Sequence, residues 1–156
     1  FKPLGLHIEG GKVLRPVNRG HGEGNFYMQP NAVFYVDAAG SHVVRTELFR
    51  VAPGMELATQ SGPILVEKGS INGLFQVNSD NKKVRNGVGV DRAGRVVFAI
   101  SSGEVSFYDF AVFFRDRMKC DDAMYLDGVI SRAYVPDQGR RDTDGDFAGM
   151  IAVTRR

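Results

Sequence analysis

The sequence has no tryptophan and a single cysteine, Cys120. A lone cysteine excludes an internal disulfide framework and a cysteine-built zinc site. No apolar run approaches the roughly 18 to 20 residues that a membrane-spanning helix requires. Nor does one charge dominate: 20 Lys and Arg stand against 18 Asp and Glu, a formal net charge of +2. The pI near 8.8 sounds basic, yet the cations form no stripe, and Lys82, Lys83 and Arg85 are the only dense group. Nucleic acid therefore ranks last among partners. The chain opens at Phe1 without Met, inside what reads as a loop before a strand. That start predicts an N-terminally trimmed fragment. It contains no signal peptide and says nothing of export.

What is present is an ordinary folded composition. The 156 residues, 43% hydrophobic and 24% charged, suit one domain over 1–156 with a real core. Nineteen glycines imply many tight turns, which fits a sheet-rich fold. Residues 4–9 and 12–15 flank Gly10-Gly11 and predict a hairpin. Residues 16–31 form a long polar loop. Strands are predicted at 32–37, 42–45, 55–59 and 64–67, with a helical turn at 46–51. Residues 86–91 and 95–100 predict a second hairpin about Arg92-Ala93-Gly94, and short strands follow at 123–126 and 147–154. Residues 107–118 predict the one convincing helix. Ser106 precedes it as a cap, and Phe107, Phe110, Ala111, Phe114 and Met118 form an apolar stripe for packing on a sheet. The expected fold is α+β: a mixed, mostly antiparallel sheet with one main helix packed on it.

Three segments depart from plain structure. Gln60-Ser61-Gly62-Pro63 puts polar residues between two apolar runs, and by local chemistry alone it reads as a turn. Arg85 and Asn86 precede a strand holding Gly87 and Gly89. Glycine within a strand marks close approach by a ligand or another backbone. Arg85 is either a solvated side chain or a group gripping a phosphate or carboxylate. Asp127 ends a buried strand before Gly128. It is either a turn residue or a catalytic acid, base or nucleophile.

Other chemistry is weaker. His7, His21 and His42 are scattered. Asp142, Asp144 and Asp146 alternate like a calcium loop, but the twelfth position is Val153 rather than Glu. Gly87-Val88-Gly89 leads into a strand, so it is no dinucleotide fingerprint, and residues 20–24 lack the Lys-Ser/Thr of a phosphate loop. Cys120 has Asp121 and Asp122 beside it, which disfavours a reactive thiolate. No metal and no cofactor is expected.

Taken in order, residues 58–66, Arg85-Asn86-Gly87-Val88-Gly89-Val90 and Tyr125-Leu126-Asp127-Gly128-Val129-Ile130-Ser131 resemble the phosphodiester glycosidase domain family. Gly24-Asn25-Phe26-Tyr27, with Pro30, Asn31, Val33 and Phe34, resembles its bacterial branch. The resemblance runs from Pro3 nearly to the end. It departs from the uncovering-enzyme branch, whose Asp-Gly-Gly-Gly-Ser is here interrupted by Val129 and Ile130, so sugar specificity does not carry over. A segment that family members carry upstream of Pro3 is absent.

The resemblance implies hydrolysis of a sugar-1-phosphodiester on its glycosidic side, releasing free sugar. It implies catalytic Asp127 and Arg85, with Gln60, Ser61, Gly62, Asn86, Gly128 and Ser131 binding substrate. Glu104 and Glu23 are further carboxylates with little support. The partner would be a sugar phosphodiester or phosphorylated glycan, and the location periplasmic or secreted. A competing expectation is a non-catalytic module that binds anionic or phosphorylated envelope glycans.

Overall fold

The computed structural model describes residues 2–127, 131–145 and 149–154. The strands are β1 (His7–Glu9), β2 (Lys12–Arg15), β3 (Ala32–Asp37), β4 (Gly40–Arg45), β5 (Leu57–Ser61), β6 (Ile64–Glu67), β7 (Ser70–Ile71), β8 (Asn86–Asp91), β9 (Val96–Ile100), β10 (Cys120–Asp127), β11 (Tyr134–Val135) and β12 (Arg140–Arg141). The helix α1 is Phe107–Val112, and a π-helical turn, Phe113–Arg117, continues it.

The fold is α+β and antiparallel, as expected, but the strands divide between two sheets. Sheet 1 has the order β2-β1-β5-β3-β4 and sheet 2 the order β7-β6-β10-β8-β9. A small ladder, β11-β12, stands apart. Both predicted hairpins form. Gly10 and Gly11 take φ of +54° and +75° in the first turn. That left-handed pair is what a two-residue hairpin loop requires.

Alternation along the strands explains the layering. Ala32, Phe34, Ile64, Val88 and Met124 meet in one cluster between the sheets. The opposite residues of sheet 1, Val33 and Ala58 among them, pack with Leu6, Phe49 and Met55 under the outer loops. On the far side of sheet 2, Leu65, Ala123 and Tyr125 pack against Phe107, Phe110 and Phe114 of the helical segment.

Ser106 caps α1 as predicted. Its Oγ accepts from the Asp109 amide at 3.0 Å and donates to the Asp109 carboxylate at 2.8 Å. The segment predicted as one helix over 107–118 widens after Val112, where the Met118 amide donates to the Phe113 carbonyl five residues back.

Gly87 and Gly89 do mark a close approach, and what approaches is the helical segment and β10. A Cβ on Gly87 would lie 2.8 Å from the Met124 carbonyl oxygen and 3.1 Å from the Phe110 ring. On Gly89 it would lie 2.8 Å from both Cys120 Sγ and the Phe114 ring.

Three expectations fail. Gln60 and Ser61, which local chemistry alone reads as a turn, are the last two residues of β5. Residues 149–154 form no strand, and residues 147 and 148 of that predicted strand lie outside the described residues. The loop predicted beyond Val135 instead pairs Arg140–Arg141 with Tyr134–Val135. Two-residue strands carry too little periodicity to be seen in sequence.

Candidate active site

The end of β10 is where the chemistry gathers. Leu126 is an extra residue there, because Tyr125 pairs with Gly87 while Asp127 pairs with Asn86. Such a bulge re-aims the side chains beside it. Ser61, at the end of β5, donates its hydroxyl to the Leu126 carbonyl at 2.6 Å. Asn86 holds the next residues. Its Oδ1 accepts from the Asp127 amide at 3.2 Å and its Nδ2 donates to Ser131 Oγ at 2.9 Å. The Ser131 hydroxyl also reaches the Asp127 carbonyl at 3.4 Å. Four residues named from sequence, Ser61, Asn86, Asp127 and Ser131, thus converge at one strand end. Asp127 is exposed there, while Ser61 and Ser131 are buried.

Arg85 precedes Asn86 and turns to the helix side of sheet 2. It is only 1% exposed. Its amide donates to Ser101 Oγ at 2.9 Å, its Nε to the Val105 carbonyl at 2.8 Å and its Nη2 to the Asn81 carbonyl at 2.8 Å. The guanidinium carbon lies 3.7 Å from the centre of the Phe107 ring and 5.5 Å from that of Tyr125. Cation–π attraction and carbonyl dipoles therefore hold the charge. Among the described residues no carboxylate forms an ion pair with it. Burial pulls the guanidinium below its ordinary pKa, and Tyr125 partly offsets that pull. Among the described residues, then, carbonyl oxygens and ring faces alone hold this buried charge.

Tyr125 flanks this guanidinium, although the sequence assigned it no role. It is 1% exposed, and its hydroxyl closes no hydrogen bond among the described residues. Burial raises its phenol pKa above the ordinary value, and Asp127 adds to the rise; Arg85 and Asn25 pull the other way. A cleft of about 140 Å³ has Asn81 and Phe107 in its wall, beside Met28 and Tyr108. Neither it nor the larger cleft, of about 640 Å³ along Gly10, Gly11 and residues 51–57, is lined by a candidate residue.

Gln60 and Gly62 sit apart from this strand end. The Gln60 amide clasps the outer loops: Oε1 accepts from the Leu6 and Asn18 amides at 3.0 and 2.9 Å. Its Nε2 donates to the Asn18 carbonyl at 2.6 Å and to Asn31 Oδ1 at 2.9 Å. Gly62 allows Asn31 to pass, since a Cβ would meet Asn31 Nδ2 at 2.9 Å. Gly128 lies outside the described residues. Among the described residues no three of His, Cys, Asp and Glu gather in a group that could hold a metal ion.

Comparison with known families matches residues 1–153 to "Phosphodiester glycosidase". The chain belongs to that family, whose name implies a glycosidase-type hydrolase. It is 38% identical over 156 residues to the uncharacterized protein YigE of Escherichia coli (strain K12). That match takes in 100% of this chain and 61% of the relative, so the chain spans about three fifths of the relative's length. A crystal structure of a hypothetical protein from Synechocystis aligns with a TM-score of 0.37 at 16% identity, over 79% of this chain and 36% of the other. No helix among the described residues is long and apolar enough to cross a membrane.

Proposed function

We propose that this phosphodiester glycosidase family member hydrolyses the glycosidic bond of a sugar-1-phosphodiester and acts in the periplasm or outside the cell. The observation that carries the reading is the buried guanidinium of Arg85, without a carboxylate partner among the described residues, one residue from the Asn86–Asp127–Ser131 cluster.

In this reading Arg85 holds the phosphodiester anion and stabilises charge as it grows on the departing phosphate. Water adds its oxygen to the anomeric carbon while the bond from that carbon to the phosphate oxygen breaks. The bonding pair leaves with the phosphate monoester. Asp127 removes the proton from that water, or first forms a glycosyl ester that water then cleaves. A phosphate monoester leaves readily, so a strong general acid is unnecessary, unlike in two-carboxylate glycosidases. Asn86 and Ser131 hold the Asp127 backbone, and Ser61 holds the carbonyl before it.

The test incubates the full-length protein with an α-N-acetylglucosamine-1-phosphodiester and a panel of other sugar phosphodiesters, and assays reducing sugar. Asp127→Asn and Arg85→Ala run beside it. Release that both variants abolish is the expected outcome. No release across the panel, with anion binding retained, would move the assignment to a non-catalytic glycan-binding module.

A further inference from the structure

The Tyr125 ring is fully used in packing. It meets Phe107 edge-on with centroids 4.9 Å apart, and it flanks the Arg85 guanidinium. Its hydroxyl adds nothing to that packing. It is buried and makes no hydrogen bond among the described residues. An unpaired buried hydroxyl costs about 1–3 kcal/mol, and phenylalanine would fill the same space without that cost. Retaining the oxygen therefore needs a reason other than the core.

Arg85 has a matching feature. Its Nε and Nη2 donate to carbonyls, while Nη1 makes no hydrogen bond among the described residues. The third neighbour is Asn25, which belongs to the Gly24-Asn25-Phe26-Tyr27 segment singled out in the sequence. It faces the Tyr125 hydroxyl from the loop 16–31 and is itself exposed. That loop is pinned nearby, since Asn31 Nδ2 donates to the Phe26 carbonyl and Arg19 donates to the Thr46 carbonyl at 2.7 Å. Burial keeps the Tyr125 phenol protonated at neutral pH, so the oxygen offers a proton. Two buried donors thus lie side by side, and an exposed amide neighbours the Tyr125 hydroxyl.

We propose that Tyr125 and Asn25 complete, with Arg85, the seat of the substrate's phosphoryl group. The Tyr125 hydroxyl donates to one non-bridging phosphate oxygen and Arg85 Nη1 to another. The Asn25 amide closes on the anion from the solvent side. This rests on the reading of Arg85 given above, and it extends that reading to residues 25 and 125, which come from segments far apart in the chain. Both are binding and positioning residues, and no bond is made to either.

The experiment compares the full-length protein with its Tyr125→Phe and Asn25→Ala variants. Inorganic phosphate is titrated by calorimetry, thermal unfolding is recorded without ligand, and sugar release is measured from any phosphodiester the parent cleaves. Tyr125→Phe should unfold at the parent's temperature or above, and bind phosphate at least about tenfold more weakly. Asn25→Ala should weaken binding severalfold, and where turnover exists both should lower kcat/KM by a similar factor. Equal phosphate affinity in the parent and Tyr125→Phe overturns the proposal. So does a parent that binds no phosphate, or a Tyr125→Phe variant that unfolds at a clearly lower temperature. The two readings separate cleanly. A parent that binds phosphate through Tyr125 yet cleaves nothing removes the enzyme and keeps the seat. Turnover undiminished in Tyr125→Phe keeps the enzyme and removes the seat.

Discussion

The Arg85 guanidinium lies 3.7 Å above the centre of the Phe107 ring, inside the protein and without an ion-pair partner among the described residues. A charge in that position needs its carbonyl acceptors. Arg85→Met keeps the bulk against Phe107 but removes the side-chain donor from the Asn81 carbonyl and leaves the Val105 carbonyl with the Lys83 amide alone. It should cost about 1–3 kcal/mol of stability and remove anion binding. Arg85→Lys keeps the charge but cannot reach both carbonyls while lying flat on the ring. It should recover little of either. Urea unfolding and a phosphate titration on the same samples check both statements.

Gly87 and Gly89 form the floor on which the helical segment rests. Gly87→Ala drives a methyl to 2.8 Å from the Met124 carbonyl, on a strand hydrogen-bonded to its own. Gly89→Ala meets a side-chain sulfur and a ring instead, which can shift. Both should destabilise, by about 1–3 kcal/mol for Gly89→Ala and more for Gly87→Ala. Denaturant midpoints at constant slope would measure the order, and a smaller loss for Gly87→Ala would contradict it.

Asn86 anchors the Asp127 amide at 3.2 Å. Asn86→Ala should speed hydrogen exchange at the Asp127 amide by about tenfold or more, with β3 and β5 amides unchanged. Sugar release, where present, should fall with it. Unaltered exchange at that amide would show that Asn86 does not position the strand end.

Arg45 of β4 grips Glu67 of β6 with two bonds of 2.6 Å, one from Nε and one from Nη2. That contact ties sheet 1 to sheet 2. The guanidinium holds the Glu67 carboxyl below its ordinary value of 4.5. A lowered carboxyl pKa stabilises the fold above the unfolded value and loses that contribution as pH falls through the folded one. The parent should therefore lose thermal stability faster than Glu67→Gln as pH drops below about 4.5. Identical slopes for the two proteins would exclude the pair as a source of acid sensitivity.

Cys120 is buried, and its thiol is pushed up to about 11, chiefly by burial and then by Asp91 and Asp121. A thiol reagent at pH 8 should leave the folded protein untouched and titrate one thiol per chain in urea. Rapid reaction without denaturant would contradict the burial.

Local chemistry carries a large part of this fold. The Gly10-Gly11 hairpin, the strand Ala32–Asp37, the turn before β9 and the Ser106 cap all follow from residues adjacent in the chain, and each is legible there. The division into two sheets is not. Val33 and Phe34 are both buried, so the strand reads as apolar on two faces without revealing which partner covers each. The Arg85 environment is hidden for a related reason. Beside Lys82 and Lys83 it looks like a solvated cation, and the rings that enclose it come from residues 107 and 125.

By itself, then, the sequence determined the turns, the helix cap, the antiparallel α+β class and the strand end where Asp127 stands, because each depends on backbone preference or side-chain period over a few residues. Only the tertiary structure decided that Gln60 clasps the outer loops while Ser61 faces the strand end, that Gly87 and Gly89 admit Phe110 and Phe114, and that the rings of Phe107 and Tyr125 enclose Arg85. Those outcomes depend on which distant surfaces exclude water together, and no local pattern encodes that pairing.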